Sequence, residues 1–106
     1  MANYVLLYSG GKMPSSPAEQ AAALKEWEAW FGKMDGAVVD EGDPFSGKAK
    51  SIASDGKVSD GAMGMMASGY SILKADSLNA AAEMAKGCPV LKSGGKITVF
   101  ETFKAM

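Results

Sequence analysis

The stretch "SGYSILKADSLNAAAEMAKGCPVL" (68–91) decides the fold of this chain. Its opening, "SGYSILKA" (68–75), has strand composition, and Tyr70 and Ile72 oppose Leu73 and Ala75 across the pleat. A strand apolar on both faces belongs in the middle of a sheet covered on both sides. The period then changes. In "DSLNAAAEMAKG" (76–87), Leu78, Ala81, Ala82 and Ala85 recur at helical spacing. Asp76 or Ser77 can cap this helix, Gly87 fits the position just past its end, and Pro89 blocks continuation. A strand passing straight into a helix is half of a βαβ unit.

The flanking sequence repeats the pattern. "NYVLLYS" (3–9) reads as a second doubly apolar strand, with Tyr4, Leu6 and Tyr8 on one face and Val5 and Leu7 on the other. "SPAE" (16–19) opens a helix, with Ser16 at N-cap, Pro17 at N1 and Glu19 at N3 of a capping box. Leu24, Trp27, Phe31 and Met34 follow on one face, and Trp30 widens the stripe. Gly32 costs about 1 kcal/mol inside a helix, which weakens the last turn before Asp35-Gly36 ends it. "AVVD" (37–40) is a short strand. "ITVFETF" (97–103), after the "KSGGK" turn, is the last, with Ile97, Val99 and Phe103 opposing Phe100.

Between Glu41 and Ser68 the chain is glycine-rich and weakly patterned, and Asp55-Gly56 between two short runs marks a tight hairpin. The order β-α-β, hairpin-bearing insert, β-α-β predicts an α+β, ferredoxin-like βαββαβ domain with both crossovers on one face. Two helices cover only one face of such a sheet. The other face carries apolar side chains, so the expectation is a homodimer with sheets face to face.

A chain of 106 residues supports one domain spanning 1–106. With a net charge of −1 and no basic stripe, it offers no surface for nucleic acid. The apolar run at Tyr4–Tyr8 is too short for a signal peptide or a membrane span, so a cytoplasmic protein is expected. Histidine is absent, which removes the usual zinc sets and any Ser-His-Asp or Cys-His machinery. Chemistry here would have to use carboxylate, tyrosine, lysine or the lone Cys88. That cysteine follows a helix C-terminus, where the dipole disfavours a thiolate, and it reads as a buried structural thiol.

"MANYVLLYSG", "DGKVSDG", "SGYSILKADSLNAAAEMAKGCPVL" and "GGKITVFETF", in that order, resemble the YCII-related family and its DGPF branch. The most specific part is Gly69 to Pro89, with its Gly-Tyr pair, acidic-Ser-Leu cap and Cys-Pro after the helix. The resemblance implies a ferredoxin-like fold that pairs into a dimeric α/β barrel, in a family whose members are mostly of unestablished function. Some carry a His-Asp dyad, and relatives of the same fold include isomerases and monooxygenases. This chain has Asp60-Gly61-Ala62-Met63 at the name motif, and the dyad histidine falls close to Glu19, so the dyad is not carried over.

Met63, Met65 and Met66 would suit copper(I), but with no histidine and the cysteine elsewhere they read as an apolar flap. No metal and no cofactor are expected. Tyr8, Glu19, Asp43 and Tyr70 are the polar groups expected near a cleft, and Tyr8, Tyr70 and the three methionines are the expected ligand contacts. The expected function is binding of a small apolar or amphipathic molecule between the sheet and the insert. The alternative is a proton-transfer enzyme of isomerase or lyase type, using a carboxylate base and a tyrosine.

Overall fold

The computed structural model describes residues 2–10, 15–61 and 67–104. In chain order the elements are β1 (Ala2–Ser9), α1 (Pro17–Lys33), β2 (Val38–Asp40), β3 (Lys50–Ile52), β4 (Val58–Asp60), β5 (Ala67–Ala75), α2 (Leu78–Ala85), a 3₁₀ turn (Pro89–Leu91) and β6 (Lys96–Glu101). Four strands form one sheet in the order β2-β5-β1-β6, and every neighbouring pair is antiparallel. Placing the strand of the second unit between those of the first is compatible with a ferredoxin-like arrangement. No helix of the described residues is long and apolar enough to cross a membrane.

Register divides the sheet into two unlike faces. Val5 lies opposite Ile72 on one side and Phe100 on the other, and Leu7 lies opposite Tyr70. Opposed residues share a face, so these side chains form one surface. The alternate positions, Tyr4, Leu6 and Tyr8 of β1 with Ser71, Leu73 and Ala75 of β5, are buried against the helices. Trp30 of α1, Met34 just past its end, Ala85 of α2, and Cys88 and Val90 beyond it complete that core. Both helices therefore pack on one side, and the doubly apolar strands are covered there alone among the described elements.

Local chemistry accounts for the helices, with some departures from expectation. Ser16 Oγ accepts from Glu19 N at 3.2 Å, as a capping box requires. The Glu19 carboxylate, however, returns to Ser15, accepting from its N–H and its hydroxyl at 2.9 Å each. Trp30 sits at the centre of the buried stripe rather than its edge, while Leu24 is 61% exposed. The helix continues through Gly32 to Lys33 because Trp30 and Met34 anchor its last turns on either side of that glycine. In α2, Ser77 is the cap, accepting from Ala80 N at 3.0 Å, and Ala81 and Ala85 are buried while Leu78 is exposed.

Gly87 is not in the left-handed conformation expected of a helix stop. A Cβ there would press on the Trp30 indole at 3.2 Å, so close packing explains the glycine. The Trp30 indole N–H donates to Met84 O at 3.0 Å, tying α1 to α2 at the same point. Strand β6 ends at Glu101, and Phe103 is left 87% exposed outside the sheet. Strands β3 and β4 form a separate hairpin with Ile52 opposite Val58. Its turn is closed by Gly56 N donating to Ala53 O and Ala53 N donating to Lys57 O, at 2.8 Å each, with Gly56 at φ 89°. That is the three-residue bulged loop, one residue longer than the tightest hairpin turn.

Candidate functional site

A cleft of about 670 Å³ opens on the helix side of the sheet, at the end where β1 finishes and β5 begins. Leu24, Trp27 and Phe31 of α1 form one wall. Tyr8 and Ser71 lie at the sheet, Pro89 and Val90 border the cleft from the 3₁₀ turn, and residues 41–44 form the opposite wall. Trp27 meets Tyr8 edge-on with ring centroids 5.3 Å apart and lies against Phe31 at 5.9 Å. The aromatic wall is thus one packed unit that spans helix and sheet.

Two glycines allow residues 41–44 to lie down on β5. Gly42 has φ 77°, and a Cβ there would overlap the Tyr70 carbonyl oxygen, so only glycine fits. A Cβ on Gly69 would stand 3.2 Å from Asp43 O and from Pro44 Cα, tighter than ordinary packing. Pro44 bridges to Gly69, and Phe45 N donates to Ser68 O at 2.8 Å. A buried hydrogen-bonded chain fastens the same segment from inside. Tyr8 OH donates to Ser71 Oγ at 2.7 Å, and Ser71 Oγ donates to Glu41 O at 2.6 Å.

The expected site residues are only partly brought together. Tyr8 is buried at the cleft, and Asp43 borders it. Tyr70 also borders it, but its ring belongs to the other face. It pairs opposite Leu7, stacks on Phe45 at 6.1 Å, and its hydroxyl lies 3.3 Å from Asp40 Oδ2. Adjacent strand positions point to opposite faces, so Tyr8 and Tyr70 cannot converge on one ligand. Glu19 is at the start of α1, and Gln20, not Glu19, borders the cleft. Met63, Met65 and Met66 lie outside the described residues.

Tyr8, Cys88, Glu19 and Tyr70 have pKa values displaced from their ordinary ones. Burial pushes the Tyr8 phenol well above its ordinary value, with the Ser71 hydrogen bond opposing it and the neighbouring Cys88 adding a smaller rise. Burial likewise raises the Cys88 thiol to about 11. Hydrogen bonds from Ser15 hold Glu19 below the usual carboxylate range, which makes it a weaker base. Tyr70 is raised chiefly by the charge of Asp40.

Trp27, Ser71, Glu26 and Lys92 belong to the cleft but are not among the residues expected from sequence. Trp27 carried the signal of a core position, and only packing shows that its ring also faces the cleft. Ser71 left a fainter trace, a hydroxyl at an inward-facing position of an apolar strand. Lys92 Nζ approaches Glu26 Oε1 at 3.8 Å across the gap between the 3₁₀ turn and α1.

Fold and cleft together define a small α+β domain with an aromatic-walled pocket at one end of its sheet. No protein-family model matches the chain, and no curated protein matches it significantly.

Proposed function

We propose that this chain is a YCII-related protein of the DGPF type that binds a small apolar or amphipathic molecule in the cleft. The observation that carries the reading is the wall of Trp27, Tyr8 and Phe31 around a space of about 670 Å³, within the range of small-molecule pockets. The buried polar groups beside it, Tyr8 and Ser71, already spend their hydrogen bonds on each other and on Glu41 O. A site so arranged holds an apolar body and makes few demands on it.

The proton-transfer alternative draws less support from the same geometry. A tyrosine whose proton is directed at Ser71 is not free to protonate a ligand, and a base held in its charged form by Ser15 is a poor proton acceptor. We further propose the dimeric α/β barrel, with Val5, Leu7, Ile72 and Phe100 of one protomer facing those of a second copy. The exposure of Phe100 and the incomplete burial of Val5, Leu7 and Ile72 in the single chain support that pairing.

Calorimetric titration with 1-octanol tests the binding reading. Saturable binding at one site per chain is expected, and substituting Ala23, which borders the cleft from α1, by Ala23→Trp should abolish it while leaving the thermal unfolding midpoint in place. Equal binding by the filled variant would refute the cleft as the site.

A further inference from the structure

The two walls of the cleft differ in character. The α1 wall carries the rings of Trp27 and Phe31, while residues 41–44 border the cleft with the carboxylate residues Glu41 and Asp43. Glu26, Glu41 and Asp43 border the cleft, against one cation there among the described residues, Lys92. That ammonium stands 3.8 Å from Glu26 and balances it. Glu41 and Asp43 are then left without an ion pair or a side-chain hydrogen bond among the described residues.

An aromatic wall and an uncompensated negative wall facing one apolar space favour one kind of ligand charge. A cation gains from the ring quadrupole on one side and from the carboxylates on the other. An anion of the same length meets repulsion from Glu41 and Asp43 and finds Lys92 already engaged. We infer that the cleft selects an organic cation, an amine or quaternary ammonium on an apolar body, over neutral or anionic amphiphiles of the same size. This rests on the cleft being a ligand site, as proposed above, and adds the chemical class of the ligand.

Octyltrimethylammonium, 1-octanol and octanoate, each below its micellar concentration, separate the possibilities by calorimetry on the full chain. The cation should bind more tightly than the alcohol by on the order of tenfold, and octanoate more weakly than either. In Glu41→Gln/Asp43→Asn the ratio of cation to alcohol affinity should fall toward one. Trp27→Leu, which keeps an apolar wall but removes the ring, should lower the same ratio. Equal affinity for all three probes, or a preference for octanoate, would overturn the inference while leaving the cleft as a site. A cation preference untouched by both variants would overturn it as well. Binding of none of the three would remove the cleft reading itself, and the inference with it.

Discussion

Leu6 and Leu7 are the same residue in adjacent positions of one strand, and they end in different surroundings. Leu6 is fully buried beneath the helices, whereas Leu7 is half-buried on a face that no described helix covers. The same holds across the sheet, where Leu73 is buried and Ile72, its neighbour, is not. Hydrophobicity is equal on the two faces, so it does not distinguish a core from a surface. The crossover connections do. Both βα units turn to the same side, so one face acquires two helices and a cleft, and the other has no described helix over it.

That contrast can be broken or sharpened by experiment. The largest effect is expected from Leu6→Ala, which should destabilise the chain by about 3 kcal/mol in urea denaturation, the range for emptying a full core position. Leu7→Ala should cost less, about 1–2 kcal/mol under conditions where the chain is monomeric, because its side chain is only partly removed from water. Equal losses in the two variants would show that the faces are not energetically distinct.

Alkaline pH should strike the covered face next. The folded chain keeps the Cys88 thiol protonated up to about 11, from an ordinary value of 9.0, because burial penalises the thiolate. Between those values the unfolded chain binds fewer protons than the folded one, so stability falls as pH rises. The contribution is whole below pH 9.0 and lost by about pH 11, amounting to roughly 3 kcal/mol. Urea denaturation at pH 8 and pH 10.5 checks this, and Cys88→Ala should flatten part of the decline. A pH-independent midpoint over that interval would contradict it.

The open face should respond to charge instead. Ile72→Glu sets a carboxylate in the proposed dimer surface and should weaken self-association by at least about tenfold, or about 1.4 kcal/mol, in sedimentation equilibrium. The fold should be retained, as read by the far-ultraviolet circular dichroism spectrum. Unchanged association would place the dimer contact elsewhere. A single species of 11.0 kDa in the unsubstituted protein would remove the dimer altogether.

The smallest effect separates two tyrosines. Tyr70 on the open face is raised chiefly by the charge of Asp40, while Tyr8 on the covered face is raised chiefly by burial. Salt screens exposed charges and leaves desolvation in place. Ultraviolet titration in 0.5 M salt, roughly a Debye length of 4 Å, should therefore draw the Tyr70 transition back toward its ordinary pH and leave Tyr8 where it is. A shift of both by the same amount would show that one cause governs the two.

The elements themselves are legible in the residues. Ser16, Pro17 and Ser77 announce the helix starts, and Asp55-Gly56 announces the hairpin, because capping and turn geometry depend on residues a few positions apart. The cleft is legible only in part. Tyr8 and Asp43 reach it, but Glu19 stays with its own helix start, and Tyr70 turns to the other face. Leu24 fits the helical stripe by spacing, yet the buried face of α1 is rotated toward Trp30, and Leu24 is left at the cleft. Spacing sets which residues share a helix face but not how that face is turned against a sheet.

By itself the sequence determined the alternation of strand and helix, the helix starts, the absence of histidine chemistry and the presence of two doubly apolar strands. Each of these follows from residue type or from periods shorter than a helical turn or two. Tertiary structure alone decided which apolar face is covered, that Gly42 and Gly69 let residues 41–44 lie against β5, and that Trp27 and Tyr8 meet across a cleft. It also decided that Ser71 ties the sheet to Glu41. These contacts join residues far apart in the chain, and they exist only once strand register and crossover handedness have brought the segments together.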